Sequence, residues 1–444
     1  MFKTLRNALK VKDIRNRLIY TFVALVIVRL GTLLPAPAIS REATKSLFST
    51  ANLGFFNSLT GGSLTSMSIF TLSITPYISS SIIVQLLTIA IPKLEEMQKE
   101  GEDGRKQLTE ITRILTVALA LIESAAMAIG FGNSGALTGG LTFTNVILII
   151  ASFTAGSTFI MWLGEMISQK GVGNGISIIL LFNIVSTMPN DFINLFKLYI
   201  QGKDVINGVI ATLIITAVAL VTVVFVIVLQ DAERRIPVQY AKKVQGRKMV
   251  GGQTSNIPLK VNTGGVIPVI FAGSLMNFPI VICSFFQVYP QRAHFWPKVL
   301  KILDQNSWLK IDFRNFDFGE FKYSIGLLIY IVLLIFFAYF YTSITFNPIE
   351  VANNMKKQGG FIPGIRPGKP TSDYLQKVLN SIIFIGAVGL TIVCVIPIFF
   401  SGAFNANVSF GGTSIIIIVG VIIETIKQVE SQLLVRHYKG FLDD

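Results

Sequence analysis

Apolar residues come in long runs, and the runs recur down the whole chain. Each is near the ~20 residues a helix needs to cross a bilayer, and some are shorter. The first five lie at Leu18–Leu34, Pro76–Ile91, Ile114–Phe131, Val146–Ile167 and Ile176–Met188. The second five lie at Val209–Leu229, Val266–Val288, Ser324–Phe346, Val378–Phe400 and Ser414–Val429. Between the first two spans the wording changes. Asn57-Ser-Leu-Thr-Gly-Gly-Ser-Leu-Thr-Ser-Met67 is polar and marked by glycine. Irregular backbone at membrane depth must line a cavity or be buried in protein. The break predicts a chain built around a hole, with a short mobile segment near its mouth.

Composition agrees with the pattern. Hydrophobic residues make up 52% and charged residues 14% of the 444 residues. Soluble domains average about 25% charged residues. The class is all-α and polytopic. Cys283 and Cys394 both lie in apolar runs and read as small packed hydrophobes. His294 and His437 are far apart, so no metal site is expected. No cleavable signal peptide is evident after the basic stretch Met1–Arg17.

The net charge of +14 sets the orientation. Lys and Arg gather in the N-terminal arm and in the second-to-third, sixth-to-seventh and eighth-to-ninth connections. The third-to-fourth and ninth-to-tenth loops carry none. By the positive-inside rule both termini are cytoplasmic. The expected layout is an arm at 1–17, an N-terminal half at 18–190, a C-terminal half at 207–429 and a tail at 430–444. Related halves with five spans each must enter the membrane from opposite faces. That is an inverted repeat, with its path along the interface between halves. The short second and fifth spans point to that path.

No catalytic constellation appears, and the chain is not expected to be an enzyme or to carry a cofactor. Gly364-Ile-Arg-Pro-Gly368-Lys369-Pro370 is one residue short of a phosphate loop and lacks its Ser or Thr. Ionisable residues inside spans are few: Arg29, Glu123 and Glu424. Each is a functional candidate by default, against interhelical pairing or snorkelling. For Glu123 the path-facing reading is favoured. Their scarcity argues against an ion-coupled transporter, and a purely structural scaffold explains neither the polar break nor the loops. The loops at 230–264 and 347–374 are larger than orientation requires. They read as a docking surface for something acidic, such as RNA, or for a motor protein.

Several motifs, in order along nearly the whole chain, resemble the SecY family of channel subunits in bacterial protein translocation. They include Ser68-Ile-Phe-Thr-Leu-Ser-Ile-Thr-Pro-Tyr77, Glu100-Gly-Glu-Asp-Gly-Arg-Lys106, Met161-Trp-Leu-Gly-Glu165 and Gly171-Val-Gly-Asn-Gly-Ile-Ser177. Pro258-Leu-Lys-Val-Asn262, Phe346-Asn-Pro348, Phe361-Ile-Pro-Gly-Ile-Arg-Pro-Gly368 and Phe410-Gly-Gly-Thr-Ser414 complete the set. The resemblance implies ten helices in two inverted halves around a central hourglass pore. It implies a channel for unfolded secretory polypeptides that also releases membrane segments sideways into lipid.

The resemblance also implies site residues. An apolar pore ring falls on Ile74, Ile78, Ile176, Leu180, Ile270 and Ile417. A plug at 57–68 includes Asn57, Leu59, Gly61, Gly62, Leu64 and Ser66. Small polar residues suit a segment held by few buried apolar contacts. A lateral gate between spans 2 and 7 takes Gln85, Leu87, Glu123, Ser274 and Asn277. Docking falls on Arg247, Lys248, Lys356 and Arg366. Implied partners are SecE-like and SecG-like subunits, the SecA motor ATPase, the ribosome, signal peptides, nascent polypeptides and membrane lipid. The implied location is the bacterial cytoplasmic membrane.

Overall fold

The computed structural model describes residues 9–40, 54–133, 135–199, 205–240, 243–245, 248–250, 254–285, 299–300, 303, 309–310, 322–404 and 412–439. Each predicted span falls on a helix. The first is α1 (Lys12–Leu33), followed by two short helices, α2 (Gly54–Leu59) and α3 (Ser63–Ser66). Then come α4 (Thr75–Ala90), α5 (Pro92–Lys99), α6 (Glu102–Asn133), α7 (Phe143–Lys170), α8 (Gly175–Tyr199) and α9 (Val205–Asp231). Past the sixth span the chain forms β1 (Glu233–Tyr240), β2 (Lys243–Gln245), β3 (Lys248–Val250) and β4 (Thr254–Lys260). Next are α10 (Ile267–Phe285), β5 (Leu309–Lys310), β6 (Lys322–Tyr323), α11 (Ile325–Thr345) and α12 (Pro348–Lys357). β7 (Gly360–Phe361), α13 (Lys369–Phe404) and α14 (Gly412–Lys439) complete the order.

Among the described residues, α1, α6, α7, α13 and the continuous α11–α12 stretch are long and apolar enough to cross a membrane. α4 and α5 qualify as a pair, bent by 102°. Pro92 opens α5, and Ile91 before it is extended, with φ −113° and ψ 111°. That is the conformation a following proline favours. The fifth span outruns its predicted end at Met188, because α8 continues through Pro189. Proline removes one backbone hydrogen bond, and a helix among helices can absorb that loss.

Two helices begin well before the bilayer pattern does. α6 starts at Glu102 and α13 at Lys369. The extension of α13 has a purpose in packing. Leu375, Val378 and Ile382 share a core with Ile236 and Val238 of β1, Leu259 of β4 and Met355 of α12. β1 pairs antiparallel with β4 from Glu233↔Lys260 to Gln239↔Thr254, and with β7 at Gln239↔Phe361 and Tyr240↔Gly360. The two large basic loops therefore share one three-stranded sheet, in the order β4-β1-β7. Phe346-Asn-Pro348 joins this unit to α11. Asn347 Oδ1 accepts from the Ile349 and Glu350 amides, and Pro348 opens α12. A polar N-cap followed by proline is a strong helix start.

One of the two main apolar clusters draws on both halves of the chain. Val28, Leu59, Ile160, Ile179 and Ile184 meet Ile417 and Val421 of α14, with Val266 and Ile270 packed against them. A second cluster holds the C-terminal half, from Val226 of α9 through Tyr330 and Phe337 of α11 to Cys394 of α13. Ile82 of α4 touches both.

Candidate functional site

All six expected ring residues are in that first cluster. Ile74 caps α4, and Ile78 lies one turn in. Ile176 and Leu180 are one turn apart on α8, Ile270 is on α10 and Ile417 on α14. Ile74, Ile78, Leu180 and Ile417 are buried, and Ile176 and Ile270 are partly buried. Four helices thus bring branched aliphatic side chains to one place. Fully burying such a side chain stabilises by about 1.5–3 kcal/mol. The contact is non-directional, so the cluster can close again after being parted.

The segment 57–68 lies against this cluster. The expectation of few buried apolar contacts is wrong. Leu59 is buried in the ring cluster itself. Leu64 and Met67 are buried in a third cluster, with Phe131 of α6 and Phe153 of α7. The polar residues are buried as well: Ser58, Thr60, Ser63, Ser68, Thr71 and Ser73. They escape the usual desolvation cost by hydrogen bonding locally. Ser63 Oγ lies 2.7 Å from the Thr60 carbonyl and 2.8 Å from that of Phe70. Asn57 Oδ1 accepts from the Thr65 amide and hydroxyl. Gly61 and Gly62 have φ +67° and +82°, left-handed values that glycine adopts without strain.

Two helices also grip this turn by its backbone. Arg29 Nη1 donates to the Gly61 carbonyl at 3.2 Å and to Ser186 Oγ at 3.3 Å. Asn183 Nδ2 donates to the Leu59 carbonyl at 3.0 Å and to Ser73 Oγ at 3.2 Å. Arg29 is thus paired with backbone and a hydroxyl rather than snorkelling. Asn183 is absent from the residues expected from sequence. Its signal was present: a polar residue on the α8 face that carries Ile176 and Leu180, at helical spacing. Glu424 is exposed.

The expected gate residues lie on α4, α6 and α10. α6 packs against both α4 and α10. Leu87 is exposed, and Ser274 is buried. Gln85 donates to Ser81 Oγ at 3.2 Å, while its Oε1 is buried without a partner among the described groups. The same is true of Glu123 Oε1 and Ser80 Oγ. A buried polar atom without a partner costs about 1–3 kcal/mol. Asn277 is on α10, but its side chain lies outside the described residues.

Of the docking residues, Lys356 and Arg366 are exposed on the sheet unit. Gly364 and Gly368 flank Arg366 with φ +82° and +103°. These values account for the Gly-Ile-Arg-Pro-Gly wording. Arg247 and the side chain of Lys248 lie outside the described residues.

Fold and site together define a multispanning helical membrane protein in which residues from both ends of the chain meet in an apolar cluster beside a buried polar turn. The SecY family model matches residues 68–426. Three relatives carry the name protein translocase subunit SecY. That of Halalkalibacterium halodurans is 40% identical over all of both chains. That of Thermotoga maritima is 40% identical over all of this chain and 98% of the other. That of Bacillus subtilis is 39% identical over all of both. The chain belongs to the SecY family. Among solved structures, "The structure of a protein conducting channel" aligns with TM-score 0.59 at 19% identity, over 94% of this chain and 92% of that one. Sec61 in the canine ribosome-channel complex aligns with TM-score 0.58 at 17% identity, over 94% and 92%.

Proposed function

We propose that this chain is the channel subunit of a protein translocase. It passes unfolded secretory polypeptides across the bacterial cytoplasmic membrane and releases apolar segments sideways into it. Membership of the SecY family supports this. The observation that carries it is the convergence of Ile74, Ile78, Ile176, Leu180, Ile270 and Ile417 from four helices beside the 57–68 turn. An apolar ring can close around a chain of any sequence and still exclude water and ions by dewetting. The turn at 57–68 is the plug.

The gate runs along α4, α6 and α10, where Ser80, Gln85 and Glu123 carry unpartnered buried oxygens. A seam of that kind is cheap to part. A segment of ~20 apolar residues gains by leaving the aqueous path for hydrocarbon. The chain breaks no covalent bond, so a partner or the membrane potential must supply the work.

The partners are SecE-like and SecG-like subunits, the SecA motor and the ribosome. Arg247, Lys248, Lys356 and Arg366 dock the last two on the cytoplasmic face. Arg pairs phosphate or carboxylate bidentately, and either partner suits it. Both termini are cytoplasmic. The halves are 18–190 and 207–429, with an arm at 1–17 and a tail at 430–444.

The test is transport of a secretory precursor into proteoliposomes holding this chain, its small partner subunits, the motor and ATP. Wild-type transport that falls more than about tenfold in Arg366→Glu, with complexes still assembled, supports the reading. Equal transport removes Arg366 from the docking set. No transport by the wild type, with the partners proven active on another channel, overturns the function.

A further inference from the structure

Arg29 is the least expected group in the first span. A guanidinium stays protonated at any relevant pH. At membrane depth such a charge is expensive and pairs with other charges or with backbone carbonyls. Among the described residues no carboxylate lies at ion-pair distance from it. Its Nη1 is directed at the Gly61 carbonyl and at Ser186 Oγ. Ser186 in turn donates to the Asn183 carbonyl at 2.7 Å.

Asn183 completes the arrangement. It is only 2% exposed. Its amide nitrogen bonds the Leu59 carbonyl and Ser73 Oγ. A Cβ at Gly61 would sit 2.9 Å from Asn183 Oδ1, so only glycine lets the turn come this close. The carbonyls of Leu59 and Gly61 are two residues apart in one turn. Donors from α1 and α8 hold one each.

We propose that Arg29 and Asn183 form a latch that holds the plug by its backbone and so sets how strong a signal a substrate must present to open the channel. This rests on the reading of residues 57–68 as the plug. Side-chain packing of Leu59 and Leu64 resists movement in any direction. The latch differs, because hydrogen bonds are directional and fail once the turn shifts by about an ångström. Moving the plug also strips the charge of Arg29 of its carbonyl partner, which adds to the cost of opening. Both residues are positioning residues. They act through the plug, not on the passing chain.

The experiment compares two precursors, one intact and one with a defective signal sequence, in the reconstituted complex. Arg29→Leu and Asn183→Leu are each expected to raise the ratio of defective to intact transport by about tenfold. Arg29→Lys, which keeps the charge with fewer donors, should fall between them and wild type. Deletion of 57–66 serves as the reference. If the deletion does not raise the ratio, the plug reading falls. If the deletion raises it but the three substitutions do not, the latch falls and the plug stands.

A second readout needs no transport. Ser66→Cys is placed in a chain with Cys283→Ala and Cys394→Ala, and maleimide labelling is timed in the idle complex. Labelling about tenfold faster with Arg29→Leu or Asn183→Leu, equivalent to about 1.4 kcal/mol, and intermediate with Arg29→Lys, is the expected result. Unchanged labelling overturns the latch even if a transport variant fails to assemble.

Discussion

The ring cluster and the plug turn touch through Leu59, yet they are held by opposite means. Four helices build the ring from aliphatic side chains alone. The turn at 57–68, read above as the plug, has Ser, Thr and Asn side chains that bond within it, while Arg29 and Asn183 hold its backbone carbonyls. Packing of the first kind depends on volume and tolerates exchange of one aliphatic for another. Bonding of the second kind depends on identity and backbone angle. A channel needs both. In the function proposed above, the ring must reseal around anything, whereas the plug must return to one place.

The largest effect expected from breaking this contrast is in the ring. Leu180→Ala should cost about 2–5 kcal/mol, because its neighbours come from several helices and cannot all collapse into the space. Leu180→Ile should cost less than about 1.5 kcal/mol. Thermal unfolding of the purified complex in detergent measures both, and equal losses would show that the ring needs shape as well as volume. A smaller effect is expected in the plug. Gly61→Ala should cost about 1–2 kcal/mol through its left-handed backbone alone, and contact with Asn183 adds to it. The same unfolding measurement decides, and no change would mean the turn has room to relax.

The smallest effect lies outside both regions. Lys427 on α14 pairs with Asp231, two residues past the predicted end of the sixth span, at 2.6 Å and largely exposed. The Asp231 carboxyl is held below its ordinary range, first by the hydrogen bond from Lys427 and then by its charge. The folded protein binds this proton less readily than the unfolded chain. The contribution is therefore present above the unfolded value of about 3.9 and is lost as pH falls through the lower folded value. An exposed pair contributes under about 1 kcal/mol. The difference in unfolding midpoint between wild type and Asp231→Asn should be small at pH 7, shrink with added salt and vanish in acid. A difference that persists at pH 2 would mean the substitution acts through something other than the charge.

Much of the architecture was legible because it is periodic. Runs of apolar residues marked ten helices. The polar, glycine-marked stretch at 57–67 marked a break between the first two spans, whereas Ile176 and Leu180 were named only through the family resemblance. The misses have one cause each. The few buried apolar contacts expected of 57–68 were inferred from its polarity, but Leu59, Leu64 and Met67 are buried and its polar groups bond inside the fold. The helical extensions at Glu102 and Lys369 are polar and lie outside the bilayer pattern. Nothing local in 230–264 or 347–374 tells that β1 pairs with β7, since Tyr240 and Gly360 are distant in sequence and met only through the packing of α12 and α13.

What the sequence by itself determined is therefore the ten apolar spans and the polar break between the first two, with the ring residues coming from the family resemblance. Those properties depend on neighbours within a turn or two. The tertiary structure decided what Arg29 and Asn183 do. Their partners lie 32 and 124 residues away, and a hydrogen bond exists only when donor and acceptor come within about 3 Å. Hydrophobic faces can be read before folding because any apolar neighbour will satisfy them. A directional bond to one carbonyl cannot, because it has no meaning until the helices that carry the donors are in place.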